Sequence, residues 1–348
     1  MPRIPATASA LALALVLLMA QPVPARQDGT ANPVTPPVPL TAQPFDTWLT
    51  GVVTEARERG FSEVLIASTL TSLEPLQRVV ENDRNQAETV LPFDRYYATR
   101  VTAQMVRRGR ELARQHRTLL TRIEREYRVP RRVILAIWGM ETRYGQVTGR
   151  TPVFQALATL AWEPRRAAFF RGELFNALTI VAGGHIEASA MTGSWAGAMG
   201  QTQFMPSSYL AHAVDFDRDG RRDIWRSVPD ALASIANYLR GYGWEDGLTW
   251  GREVRVTATA RERIAVPLRT EGCSSRRTMT EYRPLAEWRR LGVRAADGGP
   301  LPTATVHAAM ADLAGRSYLL YPNYDAILGY NCAHLYALSV ARFSDRLQ

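Results

Sequence analysis

Over most of the chain the apolar residues recur at helical intervals. Trp48, Val52, Val53 and Ala56 form one such run, and Gly60 ends it. A second helix is predicted over about 62–70. A long arginine-rich helix is predicted over about 97–127, with Val101, Met105, Leu112, Leu119, Leu120 and Ile123 as its apolar stripe. Pro130 suits the first turn of the next helix, where a missing N–H costs nothing. Further helices are predicted near 153–160, 165–181, 206–213 and 229–240, and again near 305–314 and 334–343. Between about 253 and 302 the pattern changes. Val254 and Val256, then Ile264 and Val266, alternate with other residues among frequent turn formers, which predicts a small β-containing insertion. The fold class is therefore mainly α (α+β).

Two N-terminal stretches fall outside this pattern. Arg3 precedes an apolar run over about 10–20, too short to span a bilayer, and the small residues Val23-Pro24-Ala25 follow it. Residues 1–25 read as a secretory signal, with a membrane anchor as the alternative. No cysteine follows closely, so a lipid anchor is not expected and the mature protein is expected in the periplasm. Residues 26–44 are rich in Pro, Thr and Ala without a hydrophobic period and read as a disordered tether.

Composition narrows the partners. The net charge is +9 and the basic residues are all arginine. A basic surface suits nucleic acid, a membrane surface or an acidic wall polymer, and export argues against nucleic acid. The two cysteines, Cys273 and Cys332, can form one bridge in an oxidising compartment. Two separate buried thiols are the alternative.

Candidate chemistry centres on Trp138-Gly139-Met140-Glu141-Thr142-Arg143-Tyr144-Gly145. Ile134, Ile137, Trp138 and Glu141 lie at i, i+3, i+4 and i+7, so one apolar helix face is predicted to carry a carboxyl group. Burying it charged is costly, and a raised pKa relieves that cost. A protonated glutamic acid beside an aromatic ring is what a glycosidase uses as general acid. The alternative is a structural ion pair with Arg143 or another arginine. A second segment, 194–209, packs small residues, Gly197 and Gly200 among them, around Ser194 and Gln203. Its amides and hydroxyls can bond sugar substituents, and Trp195 and Phe204 can stack on pyranose faces. A tight turn between helices is the plainer reading of such a loop.

Together the two segments resemble the lytic murein transglycosylase B family, glycoside hydrolase family 103, over roughly 45–348. The resemblance implies a lysozyme-like core over 131–250, an additional helical lobe over 45–130, a small mixed lobe over 251–304 and a C-terminal helical segment over 305–348 that completes the groove. It places the catalytic acid on Glu141, the supporting serine on Ser194, the sugar-binding glutamine on Gln203 and a groove tyrosine on Tyr238. A third motif, Tyr330-Asn331-Cys332-Ala333-His334-Leu335-Tyr336, carries saccharide contacts on Tyr330, Asn331 and Tyr336. Ala333 departs from the expected serine. The implied reaction cleaves the β-1,4 bond between N-acetylmuramic acid and N-acetylglucosamine and leaves 1,6-anhydro ends. A binding or scaffold protein that kept the groove is one alternative. A hydrolase is another, and it would need a second carboxylate, with Glu163, Glu173 and Glu187 available by type. A monomer is expected, with glycan strands and cell-wall synthesis proteins as partners.

No cofactor is needed for that chemistry, but a structural calcium is suggested. Asp215, Asp217, Asp219 and Gly220 match the opening of a calcium loop, with the Arg221 carbonyl and Asp223 at the next positions. Arg226 stands where a closing glutamate belongs, and the resemblance moves that role to Asp230. The alternative is a helix cap running from Ser227 to Asp230.

Overall fold

The computed structural model describes residues 43–84 and 92–348. The expected signal 1–25 and nearly all of the tether 26–44 lie outside the described residues. Among the described residues no helix is long and apolar enough to cross a membrane.

The helix Arg131–Thr142 forms the centre of the fold. Every residue from Val133 to Thr142 is buried, so the expectation of a single apolar face is corrected. The helix is enclosed by Ala103–Gln115, Arg117–Tyr127, Val228–Gly241 and His334–Asp345. A helix covered all round must be apolar all round. Ile134, Leu135 and Ile137 are fully buried, each contributing roughly 1.5–3 kcal/mol. At its start, Arg131 N donates to Glu124 Oε1 at 2.5 Å. At its end Arg143, Tyr144 and Gly145 all take positive φ, at 50°, 62° and 81°. This reversal folds the Tyr144 ring back onto Gly139, where a Cβ would come within 2.9 Å of the ring.

The single helix expected over 97–127 is three helices: Phe93–Arg100, Ala103–Gln115 and Arg117–Tyr127. Thr102 is extended and its hydroxyl accepts from Met105 N, which starts the second helix; a threonine cap outweighs a continuous apolar stripe at that point. The segment 45–130 also does not pack as one lobe. Phe45–Glu58, Glu63–Thr69 and Gln77–Arg84 join Val153–Trp162 and Ala167–Ala182 around one core. The arginine-rich helices pack around the central helix instead.

The small lobe carries a five-stranded antiparallel sheet in the order Arg283–Pro284, His307–Leu313, Arg316–Leu320, Gly251–Arg255, Arg294–Ala295. The helix expected at 305–314 is therefore a strand. Ala314 and Gly315, both at positive φ (54° and 72°), form the hairpin turn, and such turns match the twist of paired strands. Ile264 to Val266, expected as strand, follows the short helix Ala258–Arg263 without joining the sheet. Trp288, fully buried, anchors the lobe's own core with Leu285, Val293 and Leu319. Cys273 and Cys332 form a disulfide, with Cα atoms 6.2 Å apart, tying this lobe to the segment after Pro322–Tyr330.

Candidate active site

Glu141 lies in the last turn of the central helix and is 7% exposed. Burial lifts its carboxyl from the ordinary 4.5 to about 7, against smaller lowering effects from Tyr336 and the Arg100 charge. The ion pair with Arg143 that the sequence left open is not formed; Arg143 is exposed in the helix-ending turn. Tyr336 directs its buried hydroxyl at the Glu141 carboxyl without closing a hydrogen bond of normal geometry. Arg100 lies over the Tyr96 ring at 4.7 Å, and Tyr96 also senses the Glu141 charge.

A layer of tyrosines adjoins this carboxyl. Tyr330 stacks parallel to Tyr336 at 6.5 Å and contacts Tyr238 at 4.7 Å. Tyr330 Oη donates to Thr202 O at 2.6 Å, and Tyr238 Oη donates to Gly329 O at 2.7 Å. The Tyr330 hydroxyl therefore holds the C-terminal segment to the glycine-rich loop, and the Tyr238 hydroxyl holds it to the helix Val228–Gly241. Burial raises the Tyr238, Tyr330 and Tyr336 hydroxyls well above their ordinary value, so all three stay protonated. The disulfide lies directly after Asn331, and Ser275 adds a hydrogen bond from its hydroxyl to Cys332 O at 3.2 Å.

The loop from Ser194 to Phe204 is pinned by its own backbone. Ser194 N donates to Ala198 O at 2.8 Å and Met199 N to Phe204 O at 2.8 Å. Gly197 and Gly200 take φ of 84° and 60°, and Gly197 leaves no room for a Cβ beside Leu157. Ser194 Oγ accepts from Ala196 N and Ala198 N, so its hydrogen remains to donate outward. Gln203 Nε2 donates to Thr148 O and Gly200 O at 3.0 and 2.9 Å, which fixes the side chain in place. Phe204 corrects an expectation: it is 2% exposed and packs on Tyr238 and Tyr330, so it is not a sugar platform. Trp195 is half-buried.

Gln201, not singled out from the sequence, joins the loop to the central helix. Its Oε1 accepts from Trp138 Nε1 at 3.0 Å and its backbone carbonyl accepts from Thr142 Oγ1 at 3.0 Å. Its Nε2 donates to Trp225 O. The only signal was its place between Gly200 and Thr202 in the segment 194–209. Tyr96 and Arg100 carried no signal, because their helix was read as the start of a longer one.

The candidate second carboxylates are engaged or exposed elsewhere. Glu163 pairs with Arg84. Glu173 accepts from Ser207 N and Oγ at 2.8 and 2.6 Å. Glu187 is exposed. In the acidic loop, carboxylate oxygens of Asp215, Asp217 and Asp230 lie within 4.8 Å of one another. Asp219 and Asp223 do not join them. Asp219 pairs with Arg221, while Asp223 accepts from Trp225 N and Arg226 N. Asp230 is fully buried, and its oxygens accept from Phe216 N and Asp223 N.

The model of the transglycosylase SLT domain matches residues 44–345. The chain belongs to this family. It is 38% identical over 200 residues to membrane-bound lytic murein transglycosylase B of Escherichia coli strain K12, 55% of this chain and 55% of that protein. The match thus spans about half of that relative's length. Among solved structures, SltB3 from Pseudomonas aeruginosa in complex with NAG-anhNAM-pentapeptide is 38% identical, with a TM-score of 0.79 over 87% of this chain and 79% of that one. The Escherichia coli lytic transglycosylase Slt35 in complex with calcium is 29% identical, with a TM-score of 0.71 over 86% of this chain and 92% of that one. The fold, mostly helical with small sheets, is therefore the lysozyme-like one of the lytic transglycosylases.

Proposed function

We propose that the protein is a lytic murein transglycosylase that cuts the β-1,4 bond between N-acetylmuramic acid and N-acetylglucosamine, using Glu141 alone as acid and base. The observation that carries this reading is a buried carboxyl raised to about 7 by burial, with Tyr336 and Arg100, and no second acid among the described residues, acting on it. Such an acid holds its proton near neutrality and can give it to a leaving oxygen.

Glu141 protonates the glycosidic oxygen as the C1–O bond breaks, which releases the N-acetylglucosamine 4-hydroxyl. The new carboxylate, stabilised by Tyr336 and Arg100, then takes the proton from the muramoyl C6 hydroxyl as O6 closes onto C1. No water is consumed, and Glu141 ends protonated. A hydrolase would need a second carboxylate across the bond, and Glu163, Glu173 and Glu187 are engaged or exposed elsewhere. Ser194 would donate to the substrate, and Gln203 would accept through Oε1. Tyr238, Tyr330, Asn331 and Tyr336 would wall the groove.

The residues of the acidic loop fit a calcium ion. Three carboxylates gathered without a cation repel one another, and hard oxygen donors suit calcium. Asp215, Asp217 and Asp230 would hold it, and the ion would brace the loop without entering the reaction. The relative's name and the basic charge support glycan strands as the partner, and the expected signal over 1–25 supports the periplasm as the setting.

Purified sacculi incubated with the protein test this reading. Anhydro-muropeptides are expected. Reducing ends would mark a hydrolase, and release of neither product a binding protein.

A further inference from the structure

A cavity of about 420 Å³ opens between the start of Ala103–Gln115 and the turn that follows Glu141. Arg100, Arg107, Arg108 and Arg143 line it, together with Gln146 and with Glu111 as an acidic member. Glu111 pairs with Arg108 at 2.9 Å. Among the described residues, neither Arg107 nor Arg143 has an ion-pair partner, and both are exposed. The cavity is therefore a site of surplus positive charge. It adjoins the reacting centre: Arg143 is two residues after Glu141, and the Arg100 charge acts on the Glu141 carboxyl.

The cavity's shape is built rather than incidental. The break at Thr102 separates Arg100 from Arg107 and Arg108, while the left-handed turn at Arg143 and Tyr144 directs the chain back toward them. Tyr144 Oη donates to Met105 O at 2.9 Å and joins the two walls. Two non-glycine residues held consecutively at positive φ store backbone strain, which persists where the surroundings impose it.

Guanidinium groups arranged around an open cavity suit carboxylates, which they can bind in a bidentate manner. In the proposed substrate the nearest carboxylates belong to the peptide stem on the muramoyl sugar, whose C1 reacts at Glu141. We infer that this cavity binds carboxylates of the peptide stem, with Arg107 and Arg143 as the principal contacts. It thereby makes stem-bearing glycan the preferred ligand. The inference rests on the transglycosylase reading for the placement of the stem.

Calorimetric titration of the Glu141→Gln protein, which needs no turnover, tests it. The two ligands are stem-bearing glycan and the same glycan stripped of stems by an amidase. Stem-bearing glycan is expected to bind about tenfold more tightly, as two solvent-exposed charge pairs allow. Adding Arg107→Gln and Arg143→Gln should abolish that preference, and so should high salt in the protein without the arginine changes. Equal weakening toward both ligands, or a preference that survives the arginine changes in a protein with an unaltered unfolding midpoint, overturns the inference. Turnover of sacculi by the wild type is scored separately. An absence of anhydro products there refutes the reaction, while the binding preference still decides the cavity.

Discussion

Replacing Glu141 by glutamine is expected to stabilise the fold, and increasingly so as pH rises. Burial lifts the carboxyl from 4.5 to about 7. Across that interval the unfolded chain is ionised while the native protein still holds the proton. Each pH unit of that difference is worth about 1.4 kcal/mol, so the native state loses about 3 kcal/mol in total. The sign follows from a native pKa above the unfolded one: stability is complete below about pH 4.5 and is lost as pH rises through about 7. Glutamine has nearly the same shape and stays neutral throughout. Urea denaturation at a series of pH values from about 4.5 to about 8 measures both proteins, with equal m-values as the condition for comparison. The stability gap between variant and wild type should widen by about 3 kcal/mol over that range. Glu187→Gln, at an exposed site, serves as the control. A gap that stays flat, or that closes with rising pH, would refute the claim that burial holds this proton.

Tyr336→Phe removes a group that lowers the Glu141 pKa. The alkaline limb of kcat/KM should move upward, and a pH–rate profile that stays put would contradict the contact. Cys273→Ser opens a loop of 59 residues; a loss of about 4 kcal/mol is the chain-entropy expectation, checked by urea unfolding with and without reductant. Calcium at about a hundred times its Kd should add about 2.7 kcal/mol to the wild type, read as a rise in Tm. Asp230→Asn should remove that rise, and an equal rise in the variant would exclude the loop as the site.

Much of the fold was legible because most helices carry their own periodicity, and a few carry their own caps. Val228–Gly241 shows an apolar period behind a serine cap, and its extent differs little from expectation. The strand His307–Leu313 was misread because its alanines suit a helix, whereas the deciding information lies in pairing to residues 283–284 and 316–320. No local window contains that. The central helix was located correctly, but its surroundings were not. An apolar face and an apolar cylinder look alike over twelve residues, and only the helices packed around it distinguish them. At the site, Glu141 was legible as a carboxyl among apolar neighbours. Arg100, Tyr96 and the cavity beyond them depend on a helix break at Thr102 that a continuous stripe concealed.

The central claim is that one buried acid performs both proton transfers. Mass spectrometry of the soluble products from sacculi, comparing wild type with Glu141→Gln at equal binding, tests it most directly. Anhydro-muropeptides from the wild type and almost none from the variant are predicted. Anhydro products at comparable yield from both proteins would contradict the account.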